Sequence, residues 1–410
     1  MLGSDINAYG FARSFYELNH TPVQAYAEEA LAPTRYSKII NINLNKGFTE
    51  DPGFITTMRK IAKKYANHPE PVILLAMGDG YAELVSKHLD ELSKTFVCPY
   101  VDYELLRKLN NKESFYKVAS EHNLPHPKTK IITRSMYQSK ETISVPFDYP
   151  VALKPANSVE WLDIHFTGRK KEFTIHSDDE LLDVISKIYD NGYKSDLIMQ
   201  EFIPGDDSHM RVLNAYVDQH HHVKMMCLGH PLLEDPTPAS IGNYVAILPE
   251  YNQELYDIIE KFLEDINYTG FANFDMKFDD RDKQFKLFEI NLRQGRSSFY
   301  VTLNGYNLAK FVVDDYVTGS LDAQPVIYGN KNKAQHKLWL GVPVGVFKKY
   351  ALENSYKEEA LELLRQDRFG TTVFYRRDNG FKRMVLMNYM FYRYRGRFKR
   401  YFEENKGRDI

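Results

Sequence analysis

Phe271-Ala272-Asn273-Phe274-Asp275 is followed, fourteen residues on, by Glu289-Ile290-Asn291-Leu292-Arg293. The two stretches flank Asp280-Arg281-Asp282, a turn composition, so they predict a hairpin over 270–279 and 284–292. In a strand, side chains two apart share a face, which aligns Glu289, Asn291 and Arg293. With Asp275 turned the same way, two carboxylates and an amide oxygen converge. Such hard oxygen donors suit Mg²⁺ held partly by protein and partly by nucleotide phosphates. Arg293 on that face suits charge on a transferring phosphoryl group. A polar outer face of a hairpin would use the same residues, and this motif alone does not choose.

Two further segments bear on the choice. Pro150-Val151-Ala152-Leu153-Lys154 is an apolar strand ending in a lysine, placed as a point charge for phosphate or simply as an exposed strand end. Ile198-Met199-Gln200-Glu201-Phe202-Ile203-Pro204-Gly205 is a strand running into a turn. It can offer backbone groups to an adenine edge and apolar side chains to its face, or be an ordinary core strand.

Over residues 1–100, strand and helix patterns alternate, the signature of a small doubly wound domain. Gly3 to Gly10 reads as the turn after a first strand, with only Met1 and Leu2 left for that strand: either it is very short or a few residues are missing. Pro71 to Met77 reads as a buried parallel strand, and Tyr103 to His122 as one helical stretch. Between about 100 and 320 the pattern is α+β with antiparallel strands. Residues 320–334 read as a linker and 335–410 as a helical appendage.

Composition excludes several classes. The chain has 410 residues, 43% hydrophobic and 26% charged, with net charge −2. No global field points to nucleic acid, which is not expected as a partner. Cys98 and Cys227 are far apart, which fits plain buried thiols in a reducing compartment. No apolar run is long enough to span a bilayer, and the start lacks the apolar core of a signal peptide, so the chain reads as cytosolic. His220, His221 and His222 are adjacent in a turn and cannot all face one ion. A solvated loop is the simpler reading.

Charge is uneven along the chain. Residues 376–410 hold eleven basic side chains against four acidic ones. Met384, Met387, Phe391, Tyr394, Phe398 and Tyr401 form an apolar helical stripe among them. Packing on the protein's own core is the commonest meaning. Binding a substrate diphosphate or lying on an anionic membrane are the alternatives.

In order and spacing, these segments resemble the ATP-grasp superfamily over residues 1–320. The resemblance implies ATP and two Mg²⁺ ions as cofactors. It makes Lys112 and Lys154 the nucleotide lysines, Glu201, Phe202 and Ile203 the adenine hinge, and either Asp207 or His209 the ribose contact. Asp275, Glu289 and Asn291 become the metal ligands, with Arg293 beside them as a catalytic cation. The loop after Lys154 departs from the family's glycine-rich pattern, having no glycine before Gly168. Ser158 is its candidate phosphate contact. Leu2 to Gly10, Gly205 to Val212 and Glu289 to Val301 are similar to the carboxylate–amine ligases of cell-wall cross-bridge synthesis. Those enzymes join the β-carboxylate of D-aspartate to a lysine ε-amine of a UDP-linked peptidoglycan precursor.

The implied fold is ATP-grasp, α/β and α+β. Residues 1–100 form the N-terminal doubly wound domain. Residues 101–195 and 196–320 form two α+β subdomains clamping ATP, and 321–410 a linker with a basic helical extension. The implied mechanism activates a carboxylate as an acyl phosphate, which an amine then attacks. Arg296 suits a spare substrate carboxylate, and the Gly3 to Gly10 helix start can hold one by its N–H groups. A surface salt bridge and a helix cap are the structural alternatives. Two other classes stay open: an ATP-grasp ligase of other small amino acids, and a nucleotide-binding regulator without turnover.

Overall fold

In the computed structural model, Leu2 is fully buried and forms parallel bridges to Tyr26 on one side and Ala76 on the other. The two residues ahead of Gly3 therefore do serve as the central rung of a parallel ladder. Val23–Ala27 continues it by pairing in parallel with Ile40–Leu44. The stretch expected as a strand over 71–77 contributes only isolated bridges. Leu74 N–H turns to Val97 O, while Met77 N–H turns to Leu2 O, so different residues serve different neighbours. Gly3 has φ of +116°, a value that favours glycine, and there the chain reverses into a helix over Ile6–Asn19. Asp5 caps that helix, its carboxylate accepting the Ala8 N–H at 3.0 Å.

The structure describes residues 1–405 apart from 140–142, 158–159, 171, 239 and 241. The chain forms two units. The first holds Met1–Arg107, Met210–Asp275 and the described residues from Ile290 onward; the second holds Lys108–His209 and Met276–Glu289. The four-way division at 100, 195 and 320 does not coincide with them. Leu197–Glu201 lies between Thr129–Ile132 and Val151–Pro155 in one antiparallel sheet, which removes a boundary at 195. The helical stretch from Tyr103 also breaks. Asn111 starts a new helix, Lys112–Glu121, by accepting the Ser114 N–H at 3.0 Å.

In the second unit, Phe173–Ile175 completes the four-stranded sheet. The helix Asp178–Asp190 covers it with Leu181, Val184, Ile185 and Ile188, and Trp161 closes the same core. In the first unit, Met210–Val217, Val223–Glu234 and Tyr244–Glu250 run antiparallel. The predicted hairpin forms as Gly270–Asp279 and Gln284–Asn291, and Gly270–Asp279 neighbours Met210–Val217 in the sheet.

Residues 321–410 are not helix and linker alone. Ile327–Tyr328 pairs with Val223–Glu234, Leu338–Leu340 with Tyr244–Glu250, and Phe369–Gly370 with Leu338–Leu340. The C-terminal helix, Phe381–Asn405, is pinned to the start of the chain. Arg383 is 1% exposed and lies 3.0 Å from the Asp378 carboxylate, with its guanidinium 3.9 Å from the Tyr9 ring centroid. Asp378 also accepts from Tyr9 Oη at 2.9 Å, Ser37 Oγ at 2.7 Å and the Lys38 N–H at 2.7 Å. Removing one partner strands a buried charge. Arg383→Ala should therefore cost about 3–5 kcal/mol in urea unfolding; a loss under about 1 kcal/mol would show that the pair does not anchor the helix.

Candidate nucleotide and carboxylate sites

In the second unit, Val151–Pro155 buries every residue except Lys154, which is half-buried at its end. Its ammonium lies 3.8 Å from Glu172 and 5.7 Å from the Phe288 ring centroid. Lys112 is the first residue of its helix and half-buried. In the hinge segment, Ile203 is buried and Phe202 half-buried. The Glu201 carboxylate is engaged structurally. It accepts from the Lys128 N–H at 2.9 Å and from Arg281 Nη2 at 3.3 Å.

The two ribose candidates separate. His209 is held between Asp206 and Asp280, with Nε2 2.8 Å from Asp280 Oδ2. Its ring packs where a Cβ on Gly205 would sit, and Gly205 has φ of +105°. Asp207 is exposed as a residue, yet crowding of its carboxyl raises the pKa, offset by the Lys277 ammonium. Ser158 lies outside the described residues.

Lys277 escaped the sequence reading. It is 8% exposed, 5.5 Å from the Phe202 ring centroid, and burial lowers its pKa while Asp207 and Glu172 oppose the shift. The signal was available: Lys277 stands two residues beyond Asp275, on the same strand face.

In the first unit, Asn291 Nδ2 donates to Asp275 Oδ2 at 3.3 Å and to Asn273 Oδ1 at 3.2 Å. That orientation fixes the amide and turns its oxygen toward the Arg293 guanidinium at 3.4 Å, with a second lone pair able to coordinate a metal cation. A side chain at Gly295 would meet the Asn273 amide at 2.9 Å, so close approach there keeps the cluster in register. Glu289, the last residue of the second unit's segment Met276–Glu289, precedes Asn291 by two on the same strand and is exposed. Two carboxylates and one amide oxygen are a hard-oxygen set, and they fit Mg²⁺.

Arg293 Nη2 donates to Asp79 Oδ2 at 2.7 Å and to Asn291 Oδ1 at 3.4 Å. Its Nε and the Gln294 Oε1 are buried and lack partners among the described residues. Gln294 is held by Asn7, whose Nδ2 donates to Gln294 O and Met77 O, each at 3.1 Å. This junction brings the helix start to the segment that follows Asn291. Desolvation raises the Asp5 pKa, and Arg296 and Arg293 pull it down, so these three charges share one field. Arg296 is exposed and forms no ion pair among the described residues.

A separate set, Asp218, His222 and Asp322, has ligand atoms within 4.8 Å of one another. The Lys224 ammonium, 3.7 Å from Asp218 Oδ2, already supplies the cation there.

No family model matches the chain. It is 55% identical to D-aspartate ligase of Enterococcus faecium (strain Aus0004) over 99% of this chain and 97% of that one. Among solved structures it is similar to N5-carboxyaminoimidazole synthetase from Staphylococcus aureus complexed with ADP. That match has TM-score 0.59 and 14% identity, covering 87% of this chain and 84% of that one. It is also similar to the biotin carboxylase domain of Hydrogenobacter thermophilus 2-oxoglutarate carboxylase, whose complex holds MgADP. There the TM-score is 0.57 at 13% identity, over 80% and 71% of the chains. Both structural likenesses show the ATP-grasp fold, as expected from the sequence.

The exposed Glu289 gives a clean test of the metal set. Glu289→Gln should leave unfolding within about 0.5 kcal/mol of the parent. It should also lower Mg²⁺-dependent ATP turnover about a hundredfold or more; near-normal turnover would remove Glu289 from the set.

Proposed function

The chain belongs to the D-aspartate ligase family, ATP-dependent ligases of the ATP-grasp fold, and from that premise we propose that it adds D-aspartate to a cell-wall precursor. The bond made is an amide between the β-carboxylate of D-aspartate and a lysine ε-amine of a UDP-linked peptidoglycan peptide. The identity of 55% across 99% of the chain carries this reading.

The chemistry follows from charge. The γ-phosphate of ATP and the attacking carboxylate are both anions and repel. Lys112 and Lys154 hold the phosphates, and Arg293 faces the transferring phosphoryl group. Asp275, Glu289 and Asn291 would hold Mg²⁺ together with phosphate oxygens. The metal, when bound, neutralises phosphate charge. Phe202 and Ile203 flank adenine, with Lys277 beside Phe202, and Asp207 takes the ribose because His209 is already spent between two aspartates. The β-carboxylate attacks the γ-phosphorus, ADP leaves, and an acyl phosphate results. The neutral amine then attacks the acyl carbon and expels phosphate.

Asp5 and Arg296 suit the rest of the amino acid. The carboxylate of Asp5 meets the α-ammonium, and the guanidinium of Arg296 meets the α-carboxylate.

The full chain with ATP, Mg²⁺, D-aspartate and a UDP-linked lysine peptide should yield the peptide one aspartyl residue heavier, with equimolar ADP. A gain with L-aspartate, or only with a free amino acid as acceptor, would overturn the reading. Arg296→Ala should raise KM for D-aspartate by about ten- to hundredfold, the worth of one charge-assisted hydrogen bond, with kcat little changed. Asp5 must be ionised to hold an ammonium, and its pKa is raised. On acidification, KM should therefore begin to rise at a higher pH than an ordinary aspartate would give, and that limb should vanish in Asp5→Asn. An identical limb in the variant would assign it to another group.

A further inference from the structure

The C-terminal helix has two apolar faces. One packs on the protein: Met387 and Phe398 are buried, and Phe391, Tyr394 and Phe402 lie against the same clusters. Met384, expected on that face, is instead 39% exposed. The other face carries Phe381, Val385, Tyr389 and Tyr392, exposed by 76%, 53%, 56% and 66%. Their spacings of four, four and three make a single stripe along the helix. Tyr36, itself 55% exposed, joins Phe381, Val385 and Tyr389 in lining a shallow groove. Large rings and a branched aliphatic side chain in a continuous line are uncommon on a surface that meets only water.

Cations surround this stripe. Lys382, Arg393, Arg395, Lys399 and Arg400 are exposed, and no acidic residue falls between Asp378 and Glu403. Lys382, Arg393 and Arg395 form no ion pair among the described residues. The guanidinium groups of Arg393 and Arg395 rest instead near the rings of Tyr389 and Tyr392, at 5.9 and 5.7 Å from the centroids. The anchoring arginine, Arg383, is spent inside the protein on Asp378.

We propose that this outward face docks on the surface of an anionic lipid bilayer. Apolar and tyrosine side chains would enter the headgroup boundary while the flanking cations meet lipid phosphates. A second copy of the chain would set two like-charged faces together. A nucleic acid would leave Phe381 and Val385 without an apolar partner. The contact is peripheral, since no helix among the described residues is long and apolar enough to cross a membrane. The proposal goes beyond the ligase reading and does not depend on which acid is used.

The test is co-sedimentation of the full chain with vesicles of phosphatidylcholine alone, or mixed with phosphatidylglycerol, at low and high salt. Binding to the phosphatidylglycerol vesicles should be about tenfold tighter or more, and should weaken as salt rises. The variant Phe381→Ser/Val385→Ser/Tyr389→Ser/Tyr392→Ser should lose that binding about tenfold with unchanged circular dichroism and unchanged turnover in solution. Because that variant removes four side chains, Tyr389→Trp serves as a second readout. Its emission should shift to the blue on phosphatidylglycerol vesicles and not on phosphatidylcholine. No preference for the anionic lipid, no blue shift, or equal binding by the quadruple variant would overturn the proposal. So would a quadruple variant that changes only the oligomeric state, which would make the stripe a contact between copies.

Discussion

The side-chain amide of Asn7 ties together two distant segments of the first unit. It is 3% exposed and its two N–H bonds go to Met77 O and Gln294 O. Those acceptors sit at the end of the parallel ladder and on the segment just past Asn291. One amide thus ties the start of the first helix to the segment that carries Arg293 and Gln294. The pairing of Arg293 with Asp79, at the start of the helix Asp79–Lys87, repeats the tie from the other side. Asp5 and Arg296 gain their shared electrostatic field as a consequence. A buried amide with both protons used is a stiff connection, since losing either bond leaves an unsatisfied polar group.

The C-terminal helix follows a related logic. Asp378 accepts bonds from Tyr9, Ser37 and Lys38 and pairs with Arg383. Tyr9 stands two residues after Asn7 on the same helix. The last element of the chain is thereby fastened to the element that carries Asp5. The helix's basic character is then divided by geometry: Arg383 works inside the protein, Arg397 is half-buried over Tyr394, and Lys382, Arg393, Arg395, Lys399 and Arg400 are exposed.

Much of this was legible in the sequence because it depends on period and order. Alternation along Gln284–Asn291 placed Glu289 and Asn291 together, and the β/α rhythm marked the N-terminal ladder down to Leu2. The ATP-grasp fold was readable for the same reason. What stayed hidden depends on pairing between distant segments. Leu338–Leu340 and Phe369–Gly370 are too short to signal a strand; the first becomes one on the edge of Tyr244–Glu250, and the second on the edge that Leu338–Leu340 then offers. Asp207 and His209 could not be ranked from sequence, because the choice turns on Asp280, 71 residues from His209. The second stripe on the C-terminal helix was obscured by the first. Apolar residues on both faces blur a single period, and only burial tells them apart.

The central claim is that a carboxylate is activated by phosphorylation before an amine attacks it. The most direct measurement uses D-aspartate labelled with ¹⁸O in its β-carboxylate, with ATP, Mg²⁺ and the lysine-containing acceptor, and reads the released phosphate by ³¹P NMR. An acyl phosphate requires one labelled oxygen to pass from the acid to each phosphate, and the account predicts that transfer in step with amide formation. Unlabelled phosphate accompanying amide product would contradict it, because the carboxylate would then have been activated by some other route.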